Sequence, residues 1–339
     1  EADISPVSET LMDLNEVAAG LPESDQLKLT FEVDRRLEES SLLRVEGRNV
    51  EAQRVLEDAL ALCSPTRTPI LQAKVQHALG WLLWTMTHVN EGIAHLRESR
   101  AAYRVAGQQK DEAIALSALA YVLFKTGKSH TARSMFLECV DLLESSGDPT
   151  APRQVLSKLA NLERAIGELD SSLAHFDRAV ILQDQVGDVM NGLINRIDRT
   201  STLIAMDRIE EAESALAEII AASRQREAVL LEGIAIATLG DLCVKANRLD
   251  EAIGHYRFAY NTFRNKFPSV QATMSVALAL TLARAGELDE LDELTLEQEQ
   301  HVEGMPREQL SFVRQLAEIR LVQQEPAASY RHIKRARAL

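Results

Sequence analysis

A repeat of 40 residues runs through most of the chain and limits the folds that it can adopt. Small residues recur at this interval, at Ala52, Gly92, Ala132, Ser172, Ala212 and Ala252. Around each of them, apolar residues three and four positions apart indicate two amphipathic helices joined by a short turn. A single helical hairpin cannot bury its apolar face alone, so the sequence predicts that neighbouring hairpins stack on one another.

Glycines at the ends of the predicted helices follow the same interval. Gly107, Gly147 and Gly187 stand where helices should stop, because glycine readily adopts the left-handed conformation that ends a helix. The chain is rich in Ala, Leu, Glu and Arg, a composition that favours helix. Eight copies account for nearly all of the 339 residues, so we predict an all-α solenoid of about eight helix-turn-helix repeats.

The first residues of the chain do not fit the repeat, which we place over residues 30–339. Within residues 1–29, Leu11, Leu14, Ala18 and Leu21 have helical spacing, and Ser8 is a suitable N-cap residue. The sequence therefore predicts an N-terminal capping helix, which the apolar end of a solenoid needs.

The order of residue types within a copy adds a family resemblance. Residues 237–260 read "ATLGDLCVKANRLDEAIGHYRFAY". A Leu-Gly or Leu-Ala pair, a turn, a small residue, an aromatic residue and an alanine follow one another, and this order resembles the tetratricopeptide repeat. The 40-residue length is similar to that in kinesin light chains, the maltose-regulon activator, Rap-type receptors and the sensory regions of diguanylate cyclases.

The resemblance covers roughly residues 33–339 and implies a right-handed α-solenoid whose first helices line a concave groove. The chain departs from the pattern at Arg199 and Thr200, which replace the usual pair, and the last two copies shorten to 39 and 38 residues. The families that share this scaffold differ in function. The resemblance therefore implies binding, and it does not identify the ligand.

Charge and cysteine content exclude several classes of protein. A net charge of −14 argues against nucleic acid as the main partner of this region, because phosphate binding needs a basic face. No stretch reaches the roughly 18 apolar residues of a membrane span, and no signal peptide opens the sequence. Cys63, Cys139 and Cys243 are far apart, as expected for reduced thiols of a cytoplasmic protein.

The sequence contains no recognisable catalytic or cofactor motif. GxxxxGK[ST], GxGxxG, GxSxG and HExxH are all missing from it. His95, His175 and His255 share one repeat position but lie 80 residues apart, so stacking should keep them too far apart to ligate one metal ion at about 2.1 Å. We therefore expect a protein that is not an enzyme and that holds no metal or cofactor.

Both tryptophans of the chain fall on one predicted first helix. Leu79 and Leu83 form the stripe that packs within the repeat, whereas Trp81 and Trp84 lie on another stripe with His77 one turn before Trp81. Counting the same positions in the next two copies completes a set of groove candidates. They are His77, Trp81, Trp84, Ser117, Tyr121, Phe124, Lys125, Gln154, Asn161 and Arg164, and the fifth copy adds Ile194, Ile197, Ser201 and Ile204.

Aromatic rings beside amide and guanidinium groups suit an extended peptide, since rings contact apolar side chains and amides pair with the backbone. Two other interpretations stay open at this point: the rings pack against adjacent first helices, or they form a dimer interface. The hypothesis that the sequence favours is a non-catalytic regulatory module of a bacterial signalling protein, which binds a peptide, a protein segment or a small effector.

Two alternatives come from other classes. The chain would be the N-terminal sensory region of a diguanylate cyclase or kinase whose catalytic domain follows Leu339, or the region of a transcription activator that binds a sugar-type effector. The basic end "YRHIKRARAL" (330–339) predicts a helix that leads into an output domain. A homodimer is a further expectation, because repeat arrays expose apolar end faces.

Overall fold

The computed structural model describes residues 23–301 except 65, 66 and 265, together with residues 314, 316–319 and 321. All regular secondary structure in this part of the chain is α-helical, which confirms the predicted all-α fold. Up to residue 301 the helices are α1 (Glu23–Val45), α2 (Asn49–Leu62), α3 (Pro69–Thr85), α4 (Val89–Val105), α5 (Gln109–Lys125), α6 (Ser129–Glu144), α7 (Arg153–Ala165), α8 (Leu169–Gln185), α9 (Val189–Ala205), α10 (Ile209–Gln225), α11 (Val229–Lys245), α12 (Leu249–Phe263), α13 (Pro268–Ala285) and α14 (Leu288–His301).

These helices form hairpins in which each odd-numbered helix is the first and each even-numbered helix the second. The small residues that define the repeat lie in the second helices, and they are buried, with Ala52, Ala132, Ala212, Ala252 and Ser172 fully so. Burial at every copy explains why a small residue is needed there, since a larger side chain would separate the two helices. Most of the predicted eighth copy lies outside the described residues.

From Thr87 to Asn247, the turns between helices repeat a left-handed backbone conformation every 20 residues. The predicted stops at Gly107, Gly147 and Gly187 are confirmed, with φ angles of 70°, 81° and 69°. At four equivalent positions a residue with a side chain adopts the same conformation: Thr87, Asp207, Glu227 and Asn247. Because seven of the helices have 17 residues, a three-residue turn completes each 20-residue unit.

Thr87 is the least suitable of these four residues, because its branched Cβ crowds the left-handed conformation at φ 73°. We expect Thr87→Gly to raise the free energy of unfolding by about 0.5–1 kcal/mol. The substitution relieves the backbone strain, and part of this gain is lost because the unfolded chain with glycine has more conformational entropy. Denaturant unfolding checks it, with Asn247→Gly (φ 58°) as the control. Asparagine tolerates this conformation, so the control should gain less. A larger gain at Asn247 would contradict the argument.

Helices α3 and α4 approach each other closely at two glycines. A Cβ atom added to Gly92 would lie 2.7 Å from the carbonyl oxygen of Gly80, and one added to Gly80 would lie 2.9 Å from the carbonyl oxygen of Gly92. The two backbones are therefore in contact at this point. This contact fixes α3, the helix that carries both tryptophans.

The chain divides into two compact units, Glu1–Val186 and Gly187–Leu339. The core of the first unit includes Leu119, Phe136 and Leu159, all nearly inaccessible to solvent. Helix α1 begins at Glu23, so the predicted boundary between residues 29 and 30 falls inside a helix. The capping helix predicted within residues 8–21 lies outside the described residues. None of the described helices has the length and apolar character needed to cross a membrane.

Candidate functional site

Three aromatic rings meet where α3 lies beside α5. The centroids of Trp81 and Trp84 on α3 are 5.0 Å apart, and the Tyr121 ring on α5 lies 5.7 Å from Trp81 and 5.6 Å from Trp84. Trp81 and Tyr121 stand one repeat apart, so their contact shows that the first helices of these two repeats are neighbours. We call Trp81, Trp84, Tyr121 and the adjacent Phe124 the aromatic cluster.

The aromatic cluster is neither core nor free surface. All four rings are partly buried and pack against the core of the first unit. Mutual packing of the rings, one of the interpretations left open by the sequence, therefore accounts for part of their surface. The remaining surface is accessible to solvent and available for contact with another molecule.

Lys125 extends the aromatic cluster with a positive charge. Its Nζ atom lies 5.4 Å from the centroids of both Tyr121 and Phe124, within the range of a cation–π interaction. Lys125 is exposed. The rings therefore hold the ammonium group at the edge of the aromatic cluster without neutralising its charge.

A polar group lies beside the cluster, formed by α3, α5 and α7. Ser117 is only 3% exposed, and its hydroxyl accepts a hydrogen bond of 3.1 Å from the Lys158 Nζ atom. The ammonium group of Lys158 is thus turned toward the protein although the residue as a whole is exposed. Burial lowers the pKa of His77, and the charge of Lys158 lowers it further.

Helix α7 supplies the amide and guanidinium groups predicted for the fourth copy. Arg164 donates a hydrogen bond of 2.9 Å from Nη2 to the Asn161 side-chain oxygen, and Asn161 donates to the Ser157 carbonyl oxygen at 3.2 Å. Gln154 is exposed at the start of the same helix. The Nε atom of Arg164 is buried, and none of the described residues accepts a hydrogen bond from it.

All ten candidate residues thus lie on the first helices α3, α5 and α7 within one compact unit. Ser117 differs from the others because Lys158 covers it. In the fifth copy, Ile197 and Ile204 are 4% and 8% exposed, so they belong to the interior. Lys158 was not among the residues predicted for the groove, because its repeat position carries Ala78 and Ala118 in the preceding copies. A lysine at a position that holds alanine in the two preceding copies is the signal that would have found it.

The pKa of His77 gives a testable pH dependence. Because the folded state holds this pKa below the ordinary value of 6.5, the unfolded state binds the proton first as the pH falls. We therefore expect the stability of the native protein relative to His77→Gln to decrease below about pH 6.5, by at most about 1.4 kcal/mol per pH unit. Urea unfolding of both proteins at pH 7.5 and 5.5 measures this, and parallel losses would contradict the prediction.

The repeated histidines have structural partners on the first helices. His95 Nδ1 lies 2.9 Å from the side-chain oxygen of the buried Gln76. His175 Nδ1 lies 2.6 Å from Glu163 Oε2, and Arg133 donates to the other oxygen of this fully buried carboxylate at 3.0 Å. In the part of the chain that the structure describes, no group of three His, Cys, Asp or Glu side chains is arranged to hold a metal ion.

The three cysteines are not paired with one another. Burial raises the pKa of the Cys63 thiol to about 11 and that of the Cys139 thiol to about 12. Cys139 donates to the Ala113 carbonyl oxygen from its buried position. A neutral, enclosed thiol of this kind is a packing group and a poor nucleophile.

Comparison with known proteins identifies the fold. No family model matches the chain, and no curated protein sequence matches it. Among solved structures, it is similar to aspartyl phosphate phosphatase F from Bacillus subtilis, with a TM-score of 0.64 and 12% identity over 87% of this chain and 74% of that one. A Rap protein complexed with competence and sporulation factor gives 0.58 and 14% over 91% and 97% of the two chains.

A third structure is the signal transduction ATPase with a tetratricopeptide repeat sensor from Pyrococcus horikoshii. It has a TM-score of 0.58 and 13% identity, over 88% of this chain and 47% of that one. Identities this low show the fold alone. The chain is therefore an α-solenoid of the tetratricopeptide-repeat type.

Proposed function

We propose that this chain is a non-catalytic regulatory module that binds a protein or peptide segment across α3, α5 and α7. The observation that carries the proposal is the aromatic cluster, whose rings are packed on one side and open to solvent on the other. Rings held in this way provide a large, rigid contact area, which is the usual centre of a binding site for protein segments.

The polar residues around the aromatic cluster support an extended ligand. Gln154 offers an exposed amide group that can pair with a peptide backbone, and Lys125 and Arg164 offer donors at the edge. Together with the tryptophans of α3, these side chains lie on three successive first helices, so a ligand that contacts all of them must cross three repeats. A compact small molecule would contact side chains on only one or two of these helices.

The comparison structures add support of a general kind. One neighbour with this fold is a Rap protein complexed with competence and sporulation factor, and another carries a tetratricopeptide repeat sensor within a signal transduction ATPase. Both favour a role for this fold in regulation. We propose further that the chain belongs to a bacterial signalling protein of the cytoplasm, where binding changes the arrangement of repeats and acts on an output domain.

The alternative is the sensory region of a diguanylate cyclase or kinase, with its catalytic domain after Leu339. The gene sequence beyond Leu339 separates the two: a catalytic domain there would support the alternative, and a stop codon would support a free adaptor. Binding of an oligosaccharide in place of a peptide would favour the transcription-activator class, because sugar rings also stack on tryptophan.

The test selects 12-residue peptides from a random displayed library against the full chain, then measures their affinity by fluorescence anisotropy. We expect Trp81→Ala and Trp84→Ala to weaken binding at least tenfold, because an aromatic anchor contributes about 2 kcal/mol or more. Phe258→Ala is the control, since Phe258 is a 46% exposed ring in the second unit. Thermal unfolding of each variant accompanies the measurement.

Trp84→Phe keeps the test informative if the alanine variants fail to fold. It retains an aromatic ring for packing but removes the indole surface, so it should stay folded and bind less tightly. Unchanged affinity in every folded variant would overturn the proposal.

A further inference from the structure

The cations around the aromatic cluster have no acidic partner. Lys125 lies at the end of α5, and Lys158 and Arg164 lie on α7. Among the residues that the structure describes, no carboxylate comes within ion-pair distance of any of the three. Their contacts are with aromatic rings, a hydroxyl and an amide oxygen.

Arginines on the second helices behave differently. Arg100 pairs with Glu112 and Glu138, and Arg257 pairs with Glu290 through two hydrogen bonds. Arg133 and Arg178 each pair with a glutamate of a neighbouring helix as well. Pairing between helices is thus common in this protein, so unpaired cations beside the cluster are a property of that surface.

The groove positions of α3, α5 and α7 contain no carboxylate at all. The charged residues at these positions are Lys74, Lys125 and Arg164. The whole chain has 51 acidic and 37 basic residues. Lys74 lies 3.7 Å from a carboxylate oxygen of Asp34 on α1, whereas Lys125 and Arg164 have no such partner among the described residues. A positive surface of this kind on a chain of net charge −14 attracts an anionic partner.

Two buried nitrogen atoms on this surface provide an independent indication. Arg164 Nε and His77 Nδ1 are shielded from solvent, and neither has a hydrogen-bond partner among the described residues. A buried polar atom without a partner is costly, and an acceptor supplied by a bound molecule is one way to satisfy it. Arg164 Nε can only donate, so the missing partner is an acceptor such as a carboxylate oxygen.

The spacing of the helices sets the spacing of the ligand's charges. Packed helices lie about 8–10 Å apart, and an extended chain advances about 3.3 Å per residue. A peptide that crosses from α5 to α7 therefore moves on by about three residues. Carboxylates at three-residue intervals would reach the cation on one helix and then the cations on the next.

We propose that the segment bound here is an acidic peptide with an apolar side chain against Trp81, Trp84 and Tyr121, followed by carboxylates about three residues apart. These carboxylates pair with Lys125 on α5 and with Lys158 and Arg164 on α7. This inference rests on the proposed function and adds the chemistry of the partner.

The experiment uses the full chain and two fluorescein-labelled 12-residue peptides. One has two leucines followed by three glutamates at three-residue intervals, and the other has glutamine in place of each glutamate. We expect the acidic peptide to bind about tenfold more tightly at low ionic strength, and most of this preference to disappear in 0.5 M salt, where charges are screened. Fluorescence anisotropy measures both affinities.

The double substitution Lys125→Gln and Lys158→Gln should weaken the acidic peptide about tenfold and change the neutral peptide less than twofold. Lys245→Gln is the matched control, because Lys245 occupies the repeat position of Lys125 but lies near Asp207 in the second unit. Its effect on either peptide should be negligible.

Equal affinity for the two peptides would overturn the acidic preference and leave peptide binding in place. Binding of neither peptide, together with no enriched library clone, would contradict both the preference and the proposed function. Binding of the acidic peptide only after removal of residues 1–22 would show that the chain's own acidic segment occupies the surface, which overturns a separate partner. Loss of binding on self-association, seen by sedimentation, would assign the surface to a second copy.

Discussion

Replacing Glu163 with alanine is expected to lower the free energy of unfolding by about 3 kcal/mol. The carboxylate of Glu163 is fully buried and accepts from both Arg133 and His175. Its removal leaves the Arg133 and His175 side chains, which are 31% and 24% exposed, without their acceptor. The substitution also opens a cavity in the interior. Breaking a buried charge pair in this way costs far more than the pair contributes by forming.

Equilibrium urea unfolding measures the effect. Glu290→Ala is the matched control, because Glu290 makes two hydrogen bonds to Arg257 on the surface and should cost less than about 1 kcal/mol. Glu163→Gln should recover part of the loss, since an amide oxygen still accepts a hydrogen bond, as Gln76 does from His95. A loss at Glu163 no larger than that at Glu290 would show that the buried carboxylate does not hold these helices together.

Gly92→Ala is expected to lower the free energy of unfolding by about 2 kcal/mol. The added methyl group would lie 2.7 Å from the carbonyl oxygen of Gly80, a backbone atom that moves only if α3 and α4 separate. Since α3 carries Trp81 and Trp84, the same substitution should weaken ligand binding from a distance. Thermal unfolding and peptide affinity measure the two effects.

Gly254→Ala is the control for this change. Gly254 lies within α12, is exposed, and would have no atom within 4 Å of an added Cβ. The substitution should therefore stabilise the protein by about 0.5–1 kcal/mol through helix propensity. If Gly92→Ala also left the free energy of unfolding unchanged or raised it, the close contact between the two backbones would not be needed for stability.

The helices of this protein were predictable because the repeat expresses the same constraint many times. Ala52 alone would mean little, but a small residue at every fortieth position indicates close packing that the structure confirms by burial. Glycine stops at Gly107 and Gly147 fixed helix ends for the same reason. Thr87 and Glu227, which adopt the same conformation without being glycine, were not predictable, because the turn is imposed on them by the helices that they join.

The positions of the candidate residues on their helices were predictable, and the environment of each residue was less so. Helical spacing separated Trp81 from Leu79 correctly, since that separation depends on one helix alone. Burial of Ser117 depends on a lysine 41 positions later, and the bond between Glu163 and His175 depends on how two helices meet. Such contacts between hairpins depend on packing distances that a periodic pattern does not contain. Binding by the aromatic cluster stays a prediction.

The left-handed turn that recurs between Thr87 and Asn247 makes helix length independent of the side chains along the helix. Helix length is set by the backbone at the turn, so the side chain at a given position within a helix is free to vary without shifting its neighbours. Trp81, Tyr121 and Asn161 occupy equivalent positions on α3, α5 and α7, yet they carry an indole, a phenol and an amide. Substitutions at these equivalent positions can therefore change the chemistry of the surface one residue at a time, while the helices that present them keep their length and register.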